Sequence, residues 1–297
     1  MAALPSRVAR LVAVLLACWW GASLQARPPQ DRPPIPRRIV SLVPAATEML
    51  FAMGAGDRVV GVGSYDHFPP EVETRTRLGG LIDPNIEVLL TLRPDLVIAY
   101  DTQTDLRARL ARAAIPTFRY VHRGLPDITD TIRALGARVG SERAAEALAS
   151  GIEDRLETIR ARVSGQPRPS TLLVMGREAG SLRQIVASGG YGFLHDMLVA
   201  AGGADAVADI VRENVQVSTE MLLERGPDVI IELHYGSELS RAQLGQERTV
   251  WNRLPAVPAV RTGRVYLLEG NDLVVPGPRV ADAVERFARV LHPDAFR

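Results

Sequence analysis

The amino-acid sequence predicts an α/β protein made of two similar lobes, with mostly parallel sheets, one long connecting helix and a cleft between the lobes. Three observations support this fold class. Short apolar runs alternate with helical patterns, two segments recur in the same order in both halves of the chain, and one long helical pattern separates those halves. Alternating strands and helices favour parallel sheets, because each helix returns the chain to the end where the next strand starts.

Seven short runs of β-branched and aliphatic residues are predicted to be strands. Most are continuously apolar, which is typical of strands covered on both faces of a sheet. The runs are residues 38–43, 59–63, 95–100, 116–121, 171–176, 228–234 and 264–269. Helical patterns between them include residues 87–92, 105–113 and 127–139.

A single long helix is predicted over residues 141–164, with Ser141 at its N-cap. Its apolar residues recur every three or four positions, and a helix of this length spans about 33 Å. Strand–helix units on both sides indicate a connector between lobes. We therefore expect an N-terminal lobe over residues 37–140 and a C-terminal lobe over residues 165–297.

Two segments of the first half have counterparts in the second half. Residues 87–98 (EVLLTLRPDLVI) align without gaps on residues 220–231 (EMLLERGPDVII), and both predict a helix, a Pro-Asp stop and a buried strand. Residues 49–59 match residues 197–207, and both helices end near a glycine, Gly54 or Gly202. General α/β patterning could produce one match, but two in the same order favour related lobes.

Ligands of open α/β sheets bind beyond the carboxyl ends of the strands. Five of six such ends carry an aromatic or Arg side chain here, which favours a planar, partly charged ligand held by stacking and hydrogen bonds. Any one of these side chains could equally belong to an ordinary surface loop. The predicted ligand contacts are Tyr65, His67, Tyr100, Arg177, His234, Tyr235, Asn271 and Asp272.

Glu87 and Glu220 occupy equivalent places at the starts of the two matching helices. The helix dipole alone favours an acid there. Retention of both acids also fits a second interpretation, in which they lie on one outer face and dock onto Arg residues of a two-fold symmetric partner.

The first 26 residues are predicted to be a signal peptide. Arg7 and Arg10 precede an apolar run, residues 11–20, that is too short to span a bilayer, and small residues follow it. A membrane anchor is the alternative. Cys18, the single cysteine, lies in this segment and is either lipidated or removed with it. Residues 27–36 form a Pro-rich leader. We expect a periplasmic or cell-envelope protein.

The composition is typical of a soluble globular protein, with 46% hydrophobic residues, 23% charged residues and a net charge of +1. The chain lacks the basic excess of nucleic-acid-binding proteins, so we expect no nucleic-acid partner. Enzyme motifs are lacking too, because Gly54-Ala55-Gly56 has no third glycine and no phosphate loop or nucleophile elbow occurs. The histidines show no paired metal-ligand spacing, although His67, His122 and His234 could converge in the cleft. We predict no catalytic residue, metal site or cofactor.

Residues 37–292 resemble the cobalamin- and ferric-siderophore-binding proteins of ABC importers. The resemblance is carried by residues 38–48 (RIVSLVPAATE), by 61–65 (GVGSY) with Pro69-Pro70, and by 85–87 with 94–98. It implies a monomer that delivers its ligand to a permease dimer of the inner membrane and its ATPase. By this resemblance Glu87 and Glu220 bind permease arginines, and Tyr65 lines a corrinoid pocket.

The resemblance leaves the ligand open between a corrinoid and a ferric siderophore or haem. Its first two motifs lean toward the cobalamin branch. In the cobalamin binder that these motifs resemble, tryptophans line the cleft ahead of each docking acid. The corresponding stretches of this chain, residues 81–84 and 212–215, read LIDP and RENV.

Overall fold

The computed structural model describes residues 33–236 and 239–297, and residues 35–297 form one compact unit. The predicted signal peptide, Cys18 and most of the leader lie outside the described residues. Within the described ranges, none of the helices combines the length and apolar character needed to cross a membrane.

The N-terminal sheet contains five parallel strands in the order β3-β2-β1-β4-β5. The strands are β1 (Ile39–Ser41), β2 (Val59–Val62), β3 (Thr76–Arg77), β4 (Leu96–Tyr100) and β5 (Thr117–Tyr120). The helices of this half are α1 (Pro44–Ala52), α2 (Ile86–Thr91), α3 (Thr104–Arg112) and α4 (Leu125–Val139), with 3₁₀ turns at Gly56–Arg58 and Pro70–Thr74.

The predicted connecting helix is present as α5 (Glu142–Val163), which has 22 residues. It buries one apolar stripe that includes Ala145, Ile152 and Leu156, as the periodicity predicts. Ser141 stands at the N-cap position, but its side chain makes no capping hydrogen bond. Its hydroxyl accepts from the Arg58 guanidinium instead (3.4 Å).

The C-terminal sheet has the order β11-β10-β6-β7-β9, and β8 also pairs with β6. The strands are β6 (Ser170–Gly176), β7 (Ile185–Ser188), β8 (Ala204–Asp205), β9 (Asn214–Val217), β10 (Val229–His234) and β11 (Val265–Glu269). The helices are α6 (Phe193–Ala200), α7 (Thr219–Arg225), α8 (Arg241–Val250), α9 (Pro258–Arg261) and α10 (Val280–Leu291), with 3₁₀ turns at Trp251–Arg253, Asn271–Leu273 and Pro293–Phe296.

The two sheets are similar but not identical. The pairing of β4 with β1 corresponds to that of β10 with β6, and both pairs are parallel. The C-terminal sheet additionally holds β7, which runs antiparallel to β6 and β9. All seven predicted strands are present, whereas β3, β7, β8 and β9 were not predicted. Two-residue strands such as β3 and β8 are too short to carry a hydrophobic period.

Strand residues alternate between a shared central core and an outer cluster of their own lobe. In the N-terminal sheet Ile39 and Ile98 belong to the central core, whereas their neighbours Val40 and Val97 face the outer cluster. In the C-terminal sheet Leu173 belongs to the central core and Leu172 to the outer cluster. Both sheets are therefore covered on both faces, which explains their continuously apolar strands.

The central core is continuous across both halves of the chain. It takes in buried residues of both sheets and of α1, α4, α5, α6 and α10. The helices α4 and α10 pack on α5, and α10 also packs on α6. Because one core underlies both sheets, residues 35–297 form a single unit although they contain two sheets.

The repeated Pro-Asp has the same structural role in both halves. The Asp95 carboxylate accepts hydrogen bonds from the N–H groups of Arg37 and Arg38 (both 2.8 Å), and the Asp228 carboxylate accepts from the N–H of Ser170 (3.1 Å). Each Asp thus ties the start of its strand to the start of the neighbouring strand, β1 or β6. The two repeated segments are therefore equivalent in structure as well as in amino-acid sequence.

The repeated glycine turns are also equivalent. Gly54 and Gly202 have φ angles of 74° and 85°, the left-handed conformation that favours glycine. In each turn the next amide donates back across the helix end, to Leu50 O (2.8 Å) or to Leu198 O (3.0 Å). These bonds satisfy carbonyl groups that a helix C-terminus otherwise leaves unpaired.

Candidate ligand-binding site

Two cavities contain predicted ligand contacts. The larger of these two lies between the two halves of the chain and has a volume of about 440 Å³. His67, which lies five residues beyond the end of β2, lines this cavity from the N-terminal half. The remaining lining comes from the ends of β10 and β11 and the loops that follow them. Those residues are His234, Tyr235, Gly236, Leu239, Glu269, Gly270 and Asn271. The cavity therefore lies at the carboxyl ends of parallel strands, where ligands of such sheets bind.

A smaller cavity of about 140 Å³ lies at the strand ends of the N-terminal sheet. Tyr65, Asp66 and Tyr100 line it together with Leu42, Pro44, Gly63, Gly79, Gly80 and Leu81. Tyr65 is 68% exposed, a high value for an aromatic side chain, so its ring is available for stacking.

Tyr100 is held in place from behind by Tyr120. The two rings meet edge to face, with centroids 5.5 Å apart. Burial raises the pKa of Tyr100 to about 12, and the Asp66 carboxylate adds to the effect. The Tyr100 hydroxyl therefore stays neutral and keeps its proton for donation.

Six of the eight predicted ligand contacts line one of the two cavities. Tyr65 and Tyr100 line the smaller one. His67, His234, Tyr235 and Asn271 line the larger one. Arg177 and Asp272 line neither cavity and make ion pairs within the C-terminal half.

Arg177 belongs to a buried charge network beneath the larger cavity. Its side chain is 1% exposed, and its guanidinium lies 3.1 Å from Glu232 and 2.8 Å from Glu247. The guanidinium also lies over the ring of Trp251, at 5.6 Å from the centroid. These contacts give Arg177 a structural role in the support of the strand ends.

Glu232 connects this network to the cavity wall. Its carboxylate accepts a hydrogen bond from Trp251 Nε1 (2.7 Å) and lies 3.2 Å from His234 Nε2. Burial alone would raise the pKa of Glu232, but His234, Trp251 and the charge of Arg177 outweigh it and hold the pKa below its usual range. The ionised Glu232 therefore lies against the imidazole that lines the cavity.

The cavity loops are fixed by side chains of β11 and the turn after it. Asn271 Oδ1 accepts from the N–H of Gly236 (2.8 Å), and Glu269 Oε1 accepts from the N–H of Leu239 (3.0 Å). Asp272 pairs with Arg286 (3.0 Å). Asn271 thus combines its place in the lining with a structural hydrogen bond.

Asp66 carries an unusual carboxylate in the wall of the smaller cavity. Both of its oxygens are buried and have no hydrogen-bond partner among the described residues. Burial raises the pKa of Asp66 to about 6, against opposing effects of Thr47, Gly63 and Arg77. Thr47 lies close but donates its hydroxyl proton to Val43 O (3.2 Å).

An ion pair joins the two halves beside the cleft. Arg279 donates to both carboxylate oxygens of Glu48, through Nε (2.9 Å) and Nη2 (2.6 Å). The same guanidinium lies over the ring of Phe68, at 4.0 Å from the centroid. A second tie runs from the N–H of Leu125 to the carboxylate of Asp196 (3.0 Å). Together with the shared core, these contacts restrain motion between the halves.

The predicted docking acids have matching local structures. Glu87 follows the N-cap residue Asn85 by two positions, and Glu220 follows the N-cap residue Ser218 by two. Both cap side chains accept a hydrogen bond from the third helical amide, at 3.0 and 3.2 Å. Both acids are exposed. Hydrogen bonds from the backbone N–H of Glu220 and from the Ser218 hydroxyl lower the pKa of the Glu220 carboxyl, so Glu220 is ionised at neutral pH.

Sequence reasoning missed Asp66, the Glu48–Arg279 pair and Glu232 as parts of the site. A signal was present for two of them. Glu48 interrupts an apolar helix and Glu232 an apolar strand, and a buried carboxylate requires a cation or donors nearby. Nothing in the local sequence indicates which arginine supplies the charge. In residues 33–236 and 239–297, no cluster of three or more metal-ligating side chains occurs.

The fold and the cleft define a two-lobed binding protein of the kind that encloses a small ligand between its lobes. The sequence profile of the periplasmic binding proteins matches residues 39–271, and the chain belongs to this family.

Three similar proteins each cover 87–95% of the chain. The vitamin B12-binding protein of Vibrio cholerae is 30% identical over 95% of this chain and 98% of its own length. An uncharacterized ABC transporter substrate-binding lipoprotein of Bacillus subtilis, YvrC, is 28% identical over 88% of this chain and 82% of its own length. The haem-binding protein RhuT of Roseiflexus is 26% identical, with a TM-score of 0.74, over 87% of this chain and 99% of its own.

These relatives are transport components and not enzymes. The chain is accordingly the substrate-binding component of an ABC importer, which works with a permease and an ATPase and binds a small ligand. The predicted class and the predicted two-lobed fold are both confirmed.

Proposed function

We propose that this protein captures a corrinoid in the cleft between its lobes and delivers it to its permease. The observation that carries the proposal is the cavity of about 440 Å³ lined by strand ends of both lobes. The 30% identity to a vitamin B12-binding protein over 95% of the chain supports the choice of ligand.

The lining supplies the groups that a corrinoid needs. Tyr65 offers an exposed ring to one face of the macrocycle, and Tyr235 offers another from the opposite lobe. The neutral hydroxyl of Tyr100 and the amide of Asn271 form hydrogen bonds with the carboxamide groups at the corrinoid rim. Arg177 and Asp272, also predicted as ligand contacts, support the wall from behind.

Haem is the second candidate, and one feature of the cleft favours it. His67 and His234 line the same cavity from opposite lobes. Imidazole is a common axial ligand of haem iron. A solved haem-binding protein also shares the fold at a TM-score of 0.74. A ferric siderophore is the third candidate within the same class of importers.

Titration of residues 27–297 with cyanocobalamin, haem and ferric siderophores separates these candidates. At a hundredfold excess over its Kd, a ligand stabilises the folded protein by about 2.7 kcal/mol. For a unit of this size that raises Tm by roughly 5 °C. We expect this shift with cyanocobalamin. If haem raises Tm and changes its visible absorption on binding, while cyanocobalamin leaves Tm unchanged, the corrinoid assignment is wrong.

We further propose that Glu87 and Glu220 dock the loaded protein onto arginines of the permease. Both are exposed and ionisable, and their helices are equivalent in the two lobes. A partner with two-fold symmetry can therefore bind both in the same way. The shared core and the Glu48–Arg279 pair keep lobe closure small, so the spacing of the two acids changes little when ligand binds.

Charge reversal tests the docking proposal. The double variant E87R/E220R is expected to abolish transport and to leave ligand affinity in solution unchanged, because neither residue lines the larger or the smaller cavity. E224R, which reverses an exposed charge on the same α7 helix, is the control for net charge. Transport by E87R/E220R at the wild-type rate would refute this docking mode.

The predicted location and oligomeric state belong to the same proposal. We propose a monomer in the periplasm or at the cell envelope, either free or anchored through a lipid on Cys18. Mass spectrometry of the protein purified from membranes distinguishes a lipidated Cys18 from a chain cleaved after residue 26.

A further inference from the structure

An exposed leucine follows each docking acid by three residues. Leu90 follows Glu87, and Leu223 follows Glu220. Their exposed fractions are nearly equal, at 44% and 47%. Residues three apart lie on the same face of a helix, with Cβ atoms about 5–6 Å apart. Each lobe therefore presents an acid and an apolar side chain side by side.

Neither leucine is needed to cover the core. The preceding residues, Leu89 and Leu222, are the ones buried in the outer clusters, at 0% and 1% exposure. A single exposed leucine on a protein surface needs no explanation. Two leucines at equivalent positions with nearly equal exposure, in contrast, require an explanation.

The remaining exposed position that the two helices share, Thr91 in one lobe and Glu224 in the other, differs between them. Asp95 and Asp228, which follow the helices, are also exposed and identical, but their hydrogen bonds to the neighbouring strand account for that. Exposed positions free of a function are expected to differ in this way, because packing does not constrain them. The acid and the leucine are thus the exposed side chains of these two helices that both copies retain.

We infer that Leu90 and Leu223 are docking residues that insert into two apolar pockets of the permease, each beside the cation that binds the adjacent acid. The inference rests on the docking proposal for Glu87 and Glu220 and extends it. Interfaces of this kind combine an apolar contact, which supplies affinity, with a charge pair at its rim, which supplies orientation and association rate. The partner surface is a pair of apolar pockets, each flanked by Arg, related by the two-fold axis of the permease dimer.

The test is binding of the ligand-free protein to the importer's permease–ATPase complex in lipid nanodiscs. Burial of the exposed half of one leucine corresponds to about a fivefold change in Kd. L90S and L223S are each expected to weaken binding about fivefold, and the double variant about 25-fold. L90M/L223M keeps the apolar surface and is expected to bind within about twofold of wild type, which also shows that the positions tolerate substitution.

Salt dependence distinguishes the leucines from the acids. The loss in L90S/L223S should be the same at low and high NaCl, because an apolar contact is not screened. The loss in E87Q/E220Q should shrink as NaCl rises. T91S/E224Q, which alters the neighbouring exposed positions, is the matched control and should bind as wild type.

Two results would overturn the inference. If L90S/L223S binds as wild type while E87Q/E220Q is weakened, the leucines have no part in docking and the acids keep theirs. If neither pair affects binding, the docking proposal fails as well. Equal melting temperatures of all variants ensure that folding does not account for the losses.

Discussion

The substitution R279M tests how much the ion pair between Glu48 and Arg279 contributes to holding the two lobes together. Glu48 is 5% exposed and its carboxylate has both oxygens on Arg279. Methionine keeps much of the arginine stem and removes the charge. The variant therefore leaves a buried carboxylate without its cation.

The expected loss follows from this burial. Removal of one partner of a buried ion pair costs about 3–5 kcal/mol. The lower limit applies here, because the Arg279 side chain is 24% exposed and water reaches it. We expect R279M to lose about 3 kcal/mol of unfolding free energy at pH 7.5, or roughly 6 °C in Tm. The double variant E48Q/R279M, which removes both charges, should lose less than half as much.

The loss should depend on pH in a defined direction. Burial raises the pKa of Glu48 above its usual range even though Arg279 opposes the shift. Without Arg279 the pKa rises further, so the folded protein holds this proton more tightly than the unfolded chain. Stability is then retained at low pH and lost as pH rises through the folded pKa. The deficit of R279M should therefore be smaller at pH 5 than at pH 7.5.

Thermal and urea unfolding at both pH values, in the absence of ligand, provide the measurement. The reasoning is refuted if R279M and E48Q/R279M lose equal stability, because an unpaired buried charge is then not the cause. It is equally refuted if the deficit of R279M is the same at pH 5 and pH 7.5.

Three further predictions concern single residues. Y65A should raise the Kd for cyanocobalamin by more than fivefold (about 1 kcal/mol) in a fluorescence titration, whereas Y191A, which removes an exposed tyrosine outside both cavities, should leave it unchanged. The stability of D66N relative to wild type should rise by about 2 kcal/mol between pH 4 and pH 7.5, because the folded pKa of Asp66 is raised to about 6; a pH-independent difference in urea unfolding would contradict this. R93G should stabilise the protein by about 0.5–1 kcal/mol, since Arg93 has a φ of 46° where its counterpart Gly226 has 51°; an unchanged Tm would contradict it.

Much of the fold follows from local sequence. Sequence patterns only a few residues long predict the apolar strands β1, β4, β6 and β10, the apolar stripe of α5 and the two glycine turns. The repeat of residues 87–98 in 220–231 predicts two related lobes, because similar sequences with similar helix caps fold into similar units. The equivalent positions of Glu87 and Glu220 follow from the same repeat.

Only the tertiary structure decided which strand-end side chains face the ligand space. Arg177 follows β6 and His234 is the last residue of β10, yet Arg177 turns into the lobe toward Glu232, whereas His234 lines the cavity. The antiparallel strand β7 and the pairing of Glu48 with Arg279, 231 residues away, have no local signature. The physical reason is that a side chain's direction depends on the charges and volumes that distant segments bring to it. Local sequence specifies those segments but not the place where they meet.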